Sequence, residues 1–380
     1  MRKTINIGDL GTIITGKTPP TTNKNYYGDY AVFIKPTDIS EQSKYTYETE
    51  EMYSKLAAEK YESSLIPKGA ICVPCIGTVG TKMTMAPCDC YTNQSINSII
   101  CNENYDNEYV YYLIKNFLPG LKAYNLGTAS GREYVSKSNF EKIELVAEQD
   151  QEIQKKIGII LSRYDSLIEN YQKQIKLLGE AAQRLYKEWF IDLHFPGHEN
   201  TNIIDGVPEG WEKKKVGDIT PIITGKKDAN FGTPDGEYPF FTCSQEPIKA
   251  PSFSFDCAAV LLAGNGDFNV KLYRGRFEAY QRTYVLSPYI DSHLYLLFYT
   301  ISANMTKLAA GSSGSTIKFL TKGMIDGINL NVPNDEILRS FNKKVEPIQS
   351  SRESLQSQLR LLTEARDRLL PKLMSGEITI

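Results

Sequence analysis

The sequence predicts an α+β protein written twice: two mostly-β blocks, each followed by a long helix, with the two helices paired as an antiparallel coiled coil. Three observations predict it. Landmarks of the first half recur in the second, two long stretches carry apolar residues at heptad spacing, and the blocks before them are rich in Tyr, Thr, Asn, Gly and β-branched residues. The chain has 380 residues, enough for two domains that each bury a core. No run of about 18 apolar residues occurs, so no membrane span is expected. MRKTINIGDL lacks a stretch of signal-peptide length, and the expected location is the cytoplasm.

The first block, residues 1–148, opens on a nucleotide-binding pattern. Gly11, Gly16, Lys17 and Thr18 satisfy G-x-x-x-x-G-K-[ST]. A phosphate cradle needs a helix directly after the lysine, whereas here Pro19 and Pro20 follow and remove two amide donors. The second copy settles the reading. IGDLGTIITGKT from Ile7 returns as VGDITPIITGKK from Val216, an offset of 209 (Gly8 to Gly217), and there Thr220 and Lys227 break the pattern. What the copies share is a strand-like approach and a Gly-Lys turn. Short apolar runs, Gly69–Val73 and Ala258–Leu262, read as strands, and Glu108–Phe117 and Asp291–Ile301 as equivalent short helices.

The central helix is expected within residues 149–195. Ile153, Ile157, Ile160, Tyr164, Leu167 and Tyr171 form a seam that resumes, after a stutter, at Ile175, Leu178, Ala182, Leu185 and Trp189. The second block spans 196–334, with residues 196–212 as the linker leading into it. The distal helix, 335–380, runs Leu338, Phe341, Val345, Ile348, then Leu355, Leu359, Leu362, Leu369 and Leu373, with Arg352 and Arg366 as polar interruptions. Pro347 is expected to break or kink it, so that its continuous part starts afterwards. About 40 helical residues would be about 60 Å long. The helices share a local pattern, QIKLLGEA (174–181) against QLRLLTEA (358–365), and so does a third pair of segments, from Leu126 and Ala309, at nearly the same offset. Mutual pairing through Ile175, Leu178, Leu185, Leu359, Leu362 and Leu369 hides both stripes.

Catalytic constellations are missing. His194, His198 and His293 lack metal-ligand spacing; there is no N-P-P-[FY] loop and no G-x-G-x-x-G turn. Pro234-Asp235 followed by Glu246-Pro-Ile-Lys249 is one residue too long for the E-x-K of many nucleases. Cys72, Cys75, Cys88 and Cys90 are compatible with a zinc site, but the C-x-C half is unusual, and reduced thiols in a buried strand account for Cys72 and Cys75. What remains is binding chemistry on Gly-bearing loops. Lys17, Lys24, Asn25, Tyr26, Lys82, Asn93, Gln94 and Arg132 are the candidates of the first block. Lys226, Lys227, Asn230, Asn265, Asn269, Arg274, Arg276 and Arg282 are those of the second. Asn and Gln can read adenine, and Arg and Lys guanine, while solvated loop is the alternative reading of any one of them. The net charge of −2 and pI near 6.1 are low for a stand-alone nucleic-acid binder, so DNA binding would need help from a partner.

The order of blocks resembles the specificity subunit of Type I restriction-modification enzymes. LYKEWFIDLHFPG (185–197) is similar to the family's junction after the central helix, GVPEGWE (206–212) to the approach to its second domain, and LMSGEI (373–378) to its usual end. The leads into the helices depart from the family's Pro-Leu-Pro-x-x-Glu-Gln pattern: one copy reads LVAEQ (145–149), and the other keeps Pro333 before Asn334-Asp335. The resemblance implies two target-recognition domains reading the halves of a split double-stranded DNA site, held apart by two conserved helices acting as a ruler. It implies no cofactor in this chain. Two modification subunits would use S-adenosylmethionine to methylate adenine N6, and restriction subunits would use ATP and Mg²⁺. A coiled-coil scaffold presenting two protein- or glycan-binding β domains is the alternative.

Overall fold

The computed structural model describes residues 2–125, 127, 133–312 and 318–380. They divide into two units, residues 1–173 with 355–380, and residues 174–354. The central helix, Gln151–Tyr186, and the distal helix, Asp335–Ser375, are each divided between the two units.

In the first unit the leading strand Arg2–Asn6 pairs antiparallel with the closing strand Glu144–Glu148. Between them an antiparallel sheet runs in the order Gly11–Thr15, Ile96–Cys101, Ile71–Pro74, Thr84–Met85. A second four-stranded sheet joins Tyr27–Gly28, Met52–Tyr53, Ala31–Ile34 and Tyr91–Thr92. Because successive strand residues face opposite ways, Ile71 and Val73 enter one core while Cys72 enters another with Ile34 and Ile96. A strand buried on both faces reads as an unbroken apolar run. The first of these cores also takes Tyr109 and Leu113 from the helix Asn107–Phe117, Ile157 and Leu161 from the central helix, and Leu373 and Met374 from the distal one.

The second unit repeats the scheme. Glu212–Lys215 pairs antiparallel with Asn329–Val332, around a six-stranded sheet in the order Ile222–Thr224, Thr283–Leu286, Phe255–Ala263, Val270–Ala279, Tyr238–Phe241, Ile248–Ala250. Val260 and Leu262 point into one core, Ala259 and Leu261 into another, as in the first copy. The helix expected at Asp291–Ile301 instead starts at Leu294, after a single turn of 3₁₀ helix, and continues to Gly311. Met305 and Leu308 extend its packed face beyond the predicted end.

The shared Gly-Asp dipeptides have one structural role. Asp9 and Asp218 accept from the backbone N–H of Asn6 (2.8 Å) and Lys215 (2.7 Å), capping a short helical turn. Behind each cap, Ile7 donates to Ile143 O and Val216 to Ile328 O, both at 2.9 Å.

Two expectations about the long helices are corrected. In the first part of the central helix, up to Asn170, the buried side chains are Gln154, Ile157, Leu161, Asp165 and Ile168, whereas Leu167 is 45% exposed. This stretch packs on the β block as well as on the distal helix, so its buried arc is turned from the simple heptad line. The distal helix is not interrupted at Pro347, nor at Pro371. Both prolines are exposed, and the carbonyls they leave without an amide donor face water instead of the core. The polar interruptions have partners within their units. Arg366 Nη1 lies 2.6 Å from Asp165 Oδ1, whose other oxygen accepts from Tyr112 Oη at 2.6 Å. Arg352 donates to Gln349 (3.0 Å), and its guanidinium lies 3.4 Å from where a Cβ on Gly179 would stand.

Candidate nucleic-acid interface

The Gly-Lys turns are places where two backbones touch. Gly16 N donates to Ile96 O at 3.2 Å and Lys17 N to Thr92 O at 2.9 Å, so both amides are engaged within the sheet, and no helix follows. A Cβ on Gly16 would lie 2.1 Å from Thr92 O. In the second copy Gly225 N donates to Thr283 O at 3.1 Å, and a Cβ there would lie 1.9 Å from Ala279 O. The repeated motif is therefore a close backbone crossing whose glycine amide is engaged in the sheet in both copies. Gly16→Ala and Gly225→Ala are each expected to lower stability by about 1–3 kcal/mol, because a backbone carbonyl cannot swing aside. Urea unfolding midpoints measure this. Gly323→Ala, where a Cβ meets nothing within 4 Å, serves as the comparison and should not lower the midpoint.

Around the first turn the structure gathers most candidates of the first block. Thr18 donates its hydroxyl to Gln94 Oε1, and Lys17 Nζ reaches Ser63 Oγ at 3.3 Å. Lys24, Asn25 and Tyr26 form a 3₁₀ turn capped by Asn23, tied to the Gly-Lys loop by Tyr27 Oη donating to Pro19 O at 2.8 Å. Lys60, which the sequence reading missed, donates to Tyr26 Oη at 2.6 Å and sits 4.7 Å from that ring's centroid. The bond to Tyr26 raises the Lys60 pKa above the usual lysine value. Asn93 binds Ser95 N (3.0 Å) and shapes the turn that carries Gln94. Lys82 is elsewhere, donating to Ile39 O at 3.2 Å. Arg132 lies outside the described residues.

In the second unit Lys226 and Asn230 are exposed, and Lys227 Nζ lies 4.4 Å from the centroid of Phe231. Gln281, also missed, donates through Nε2 to Asp228 Oδ1 at 2.6 Å, and the exposed Arg282 follows it. Asn269 is not presented to solvent: its Nδ2 donates to Cys243 O (2.9 Å) and Asp267 O (2.7 Å), and its Oδ1 accepts from Lys271. Burial lowers the Lys271 pKa below the usual lysine value. Asn265 bridges to Phe319. Arg274 stacks 5.3 Å from the Tyr295 centroid, while Arg276 pairs with Asp256 at 3.1 Å beside Phe253. These two arginines lie along a strand, away from the Gly-Lys turn.

Of the cysteines, Cys72, Cys75 and Cys90 are buried and Cys88 is exposed; burial pushes the Cys72 and Cys75 thiols up to about 12. Among the described residues no group of three or more His, Cys, Asp or Glu side chains is arranged to hold a metal, and no helix is long and apolar enough to cross a membrane. The residues expected to pair the two helices, Ile175, Leu178, Leu185, Leu359, Leu362 and Leu369, are all half-buried, Leu185 and Leu369 against the main cores of their units.

The comparisons with known proteins agree with this duplicated design. The family profile described as the Type I restriction modification DNA specificity domain matches residues 2–178 and again residues 208–351. The MjaIX specificity subunit of Methanocaldococcus jannaschii is 26% identical over 98% of this chain and 93% of its own length. The EcoDI specificity subunit of Escherichia coli is 36% identical over 46% of this chain, and the match spans 40% of the EcoDI subunit. The crystal structure of the Type-I restriction-modification system S subunit from M. genitalium superposes with a TM-score of 0.65 at 16% identity, over 98% of this chain and 96% of that one, a likeness of fold. Two matches to the same specificity domain, covering most of the sequence, place this chain in the family of Type I restriction-modification DNA specificity subunits.

Proposed function

We propose that this chain reads a split double-stranded DNA target and hands it to separate catalytic subunits. The observation that carries the reading is the duplication itself: each specificity-domain match contains a Gly-Lys turn with lysines and an amide side chain around it. Residues 1–148 and 196–334 are the two reading domains, and the helices within 149–195 and 335–380 are the spacer. Two modification subunits supply S-adenosylmethionine chemistry on adenine N6. Restriction subunits supply ATP- and Mg²⁺-dependent cleavage where they accompany the complex, which works in the cytoplasm. Lysines and arginines at the loop surfaces hold phosphates, and neutral amides read base edges. A net charge of −2 fits this division, because the modification subunits can contribute the rest of the positive clamp.

Co-expression with the cognate modification subunit and single-molecule methylation sequencing of host DNA tests the reading. The expected result is N6-methyladenine at a motif of two halves separated by an unread gap. Removing one heptad from each long helix should shorten that gap while both halves stay unchanged. A continuous motif, or a gap indifferent to helix length, would overturn the spacer role.

A further inference from the structure

The two turns that face the Gly-Lys loops share three defining backbone bonds. In the first unit Ile96 N donates to Asn93 O (3.1 Å), Gly16 N to Ile96 O (3.2 Å) and Cys75 N to Ser95 O (2.7 Å). In the second, Thr283 N donates to Tyr280 O (2.8 Å), Gly225 N to Thr283 O (3.1 Å) and Gly264 N to Arg282 O (2.8 Å). Residue for residue, 93–96 corresponds to 280–283. The second position of each turn is a glutamine, Gln94 or Gln281, and both are exposed.

Each amide is also held from the Gly-Lys side. Thr18 donates to Gln94 Oε1, and among the described residues the Nε2 hydrogens and the second lone pair of that oxygen have no other partner. Gln281 Nε2 donates to Asp228 Oδ1, and among the described residues its other hydrogen and its oxygen have no other partner. A glutamine with one acceptor and one donor available side by side matches the N6 and N7 edge of adenine in the major groove. The cations beside them, Lys17 in one unit and Lys226 and Lys227 in the other, are suited to phosphates, so each turn has a neutral reader with a basic neighbour.

We propose that Gln94 and Gln281 are equivalent base readers, one for each half of the target, and that Thr18 and Asp228 are their positioning residues. This rests on the DNA-reading function proposed above. The full chain is co-expressed with its modification subunit, and the methylated motif is sequenced for the wild type, Gln94→Ala, Gln281→Ala, Gln94→Glu and Asp228→Asn. In the wild type a split methylated motif establishes the underlying reading; no such motif would overturn both that reading and this one. Each alanine variant should relax one base of one half only, with roughly 10- to 100-fold lost preference there, the two variants affecting opposite halves. Gln94→Glu should shift its base towards cytosine, since a carboxylate accepts from N4 but cannot donate. Asp228→Asn should weaken discrimination in the same half as Gln281→Ala. An unchanged motif, both halves changing together, or a uniform fall in methylation with the motif intact would overturn the assignment, the last because it marks a phosphate contact. Both glutamines are exposed, so circular dichroism melting of each variant should match the wild type; a variant that does not fold is replaced by Thr18→Val or Asp228→Asn as the informative arm.

Discussion

Asp165→Ala is expected to destabilise the first unit by about 3–5 kcal/mol, the usual result of removing one member of a buried ion pair. The carboxylate is 4% exposed and serves three groups: Arg366 Nη1 at 2.6 Å, Tyr112 Oη at 2.6 Å and Lys115 Nζ at 3.9 Å. Without it Arg366 keeps only Asp367, a half-exposed neighbour on its own helix, and a guanidinium that is 9% exposed loses its main counter-charge. Burial by itself would depress the Arg366 pKa, but Asp165, followed by Asp367, offsets this and together they hold it above the usual arginine value. The loss is dominated by the charge left behind and only secondarily by the value of the pair. Replacing both partners with apolar residues, Asp165→Leu with Arg366→Met, should therefore recover most of it. Guanidinium unfolding of the two single variants and the double variant gives the coupling energy. A double variant as unstable as the sum of the singles would show that the two side chains act independently.

Phe341→Ala should cost about 3–5 kcal/mol in the second unit, the range for truncating a fully buried aromatic. Phe341 is 0% exposed and lies edge-on to Phe190 (centroids 4.8 Å apart), with Trp189 at 5.9 Å and Tyr299 at 6.2 Å. Phe190 in turn touches Trp211 at 5.7 Å, so one ring joins the distal helix, the π-helical turn Lys187–Ile191 and the segment leading into the second β block. Three rigid rings around a void, one of them backed by Trp211, cannot collapse to fill it, which puts the expected loss at the upper end of the range. Leu361, 58% exposed on the same helix, is the contrast: Leu361→Ala should change stability by less than about 0.5 kcal/mol. Thermal unfolding of the two variants separates the cases, and comparable losses would mean that Phe341 is not the centre of this core.

Much of this protein is legible without coordinates, for identifiable reasons. The repeat shows in Gly8-Asp9 and Gly217-Asp218 because a capping carboxylate and a close approach tolerate few other residues. The two long helices show because a stripe at heptad spacing repeats over many turns, and the buried strands show as apolar runs. Local misreadings had local causes. Leu167 fits the heptad line, yet the β block packed on this part of the helix buries Leu161, Asp165 and Ile168 instead. Pro347 looked like a break because a sequence does not show that its side of the helix faces water.

The binding surfaces divide in the same way. Lys17 and Gln94 were legible as residue types on loops, but Gln281 was not matched to Gln94, because the equivalence lies in backbone hydrogen bonds to Gly16 and Gly225 and not in neighbouring side chains. Asn269 reads like any loop asparagine, and only folding shows that its amide is used up on Cys243 and Asp267. By itself, then, the sequence determined the duplicated order, the spacer helices and the family, since these depend on periodicity and on residues that local geometry demands. Only the tertiary structure decided which polar side chains stay exposed and which are used up inside the fold, because that depends on partners brought from distant parts of the chain.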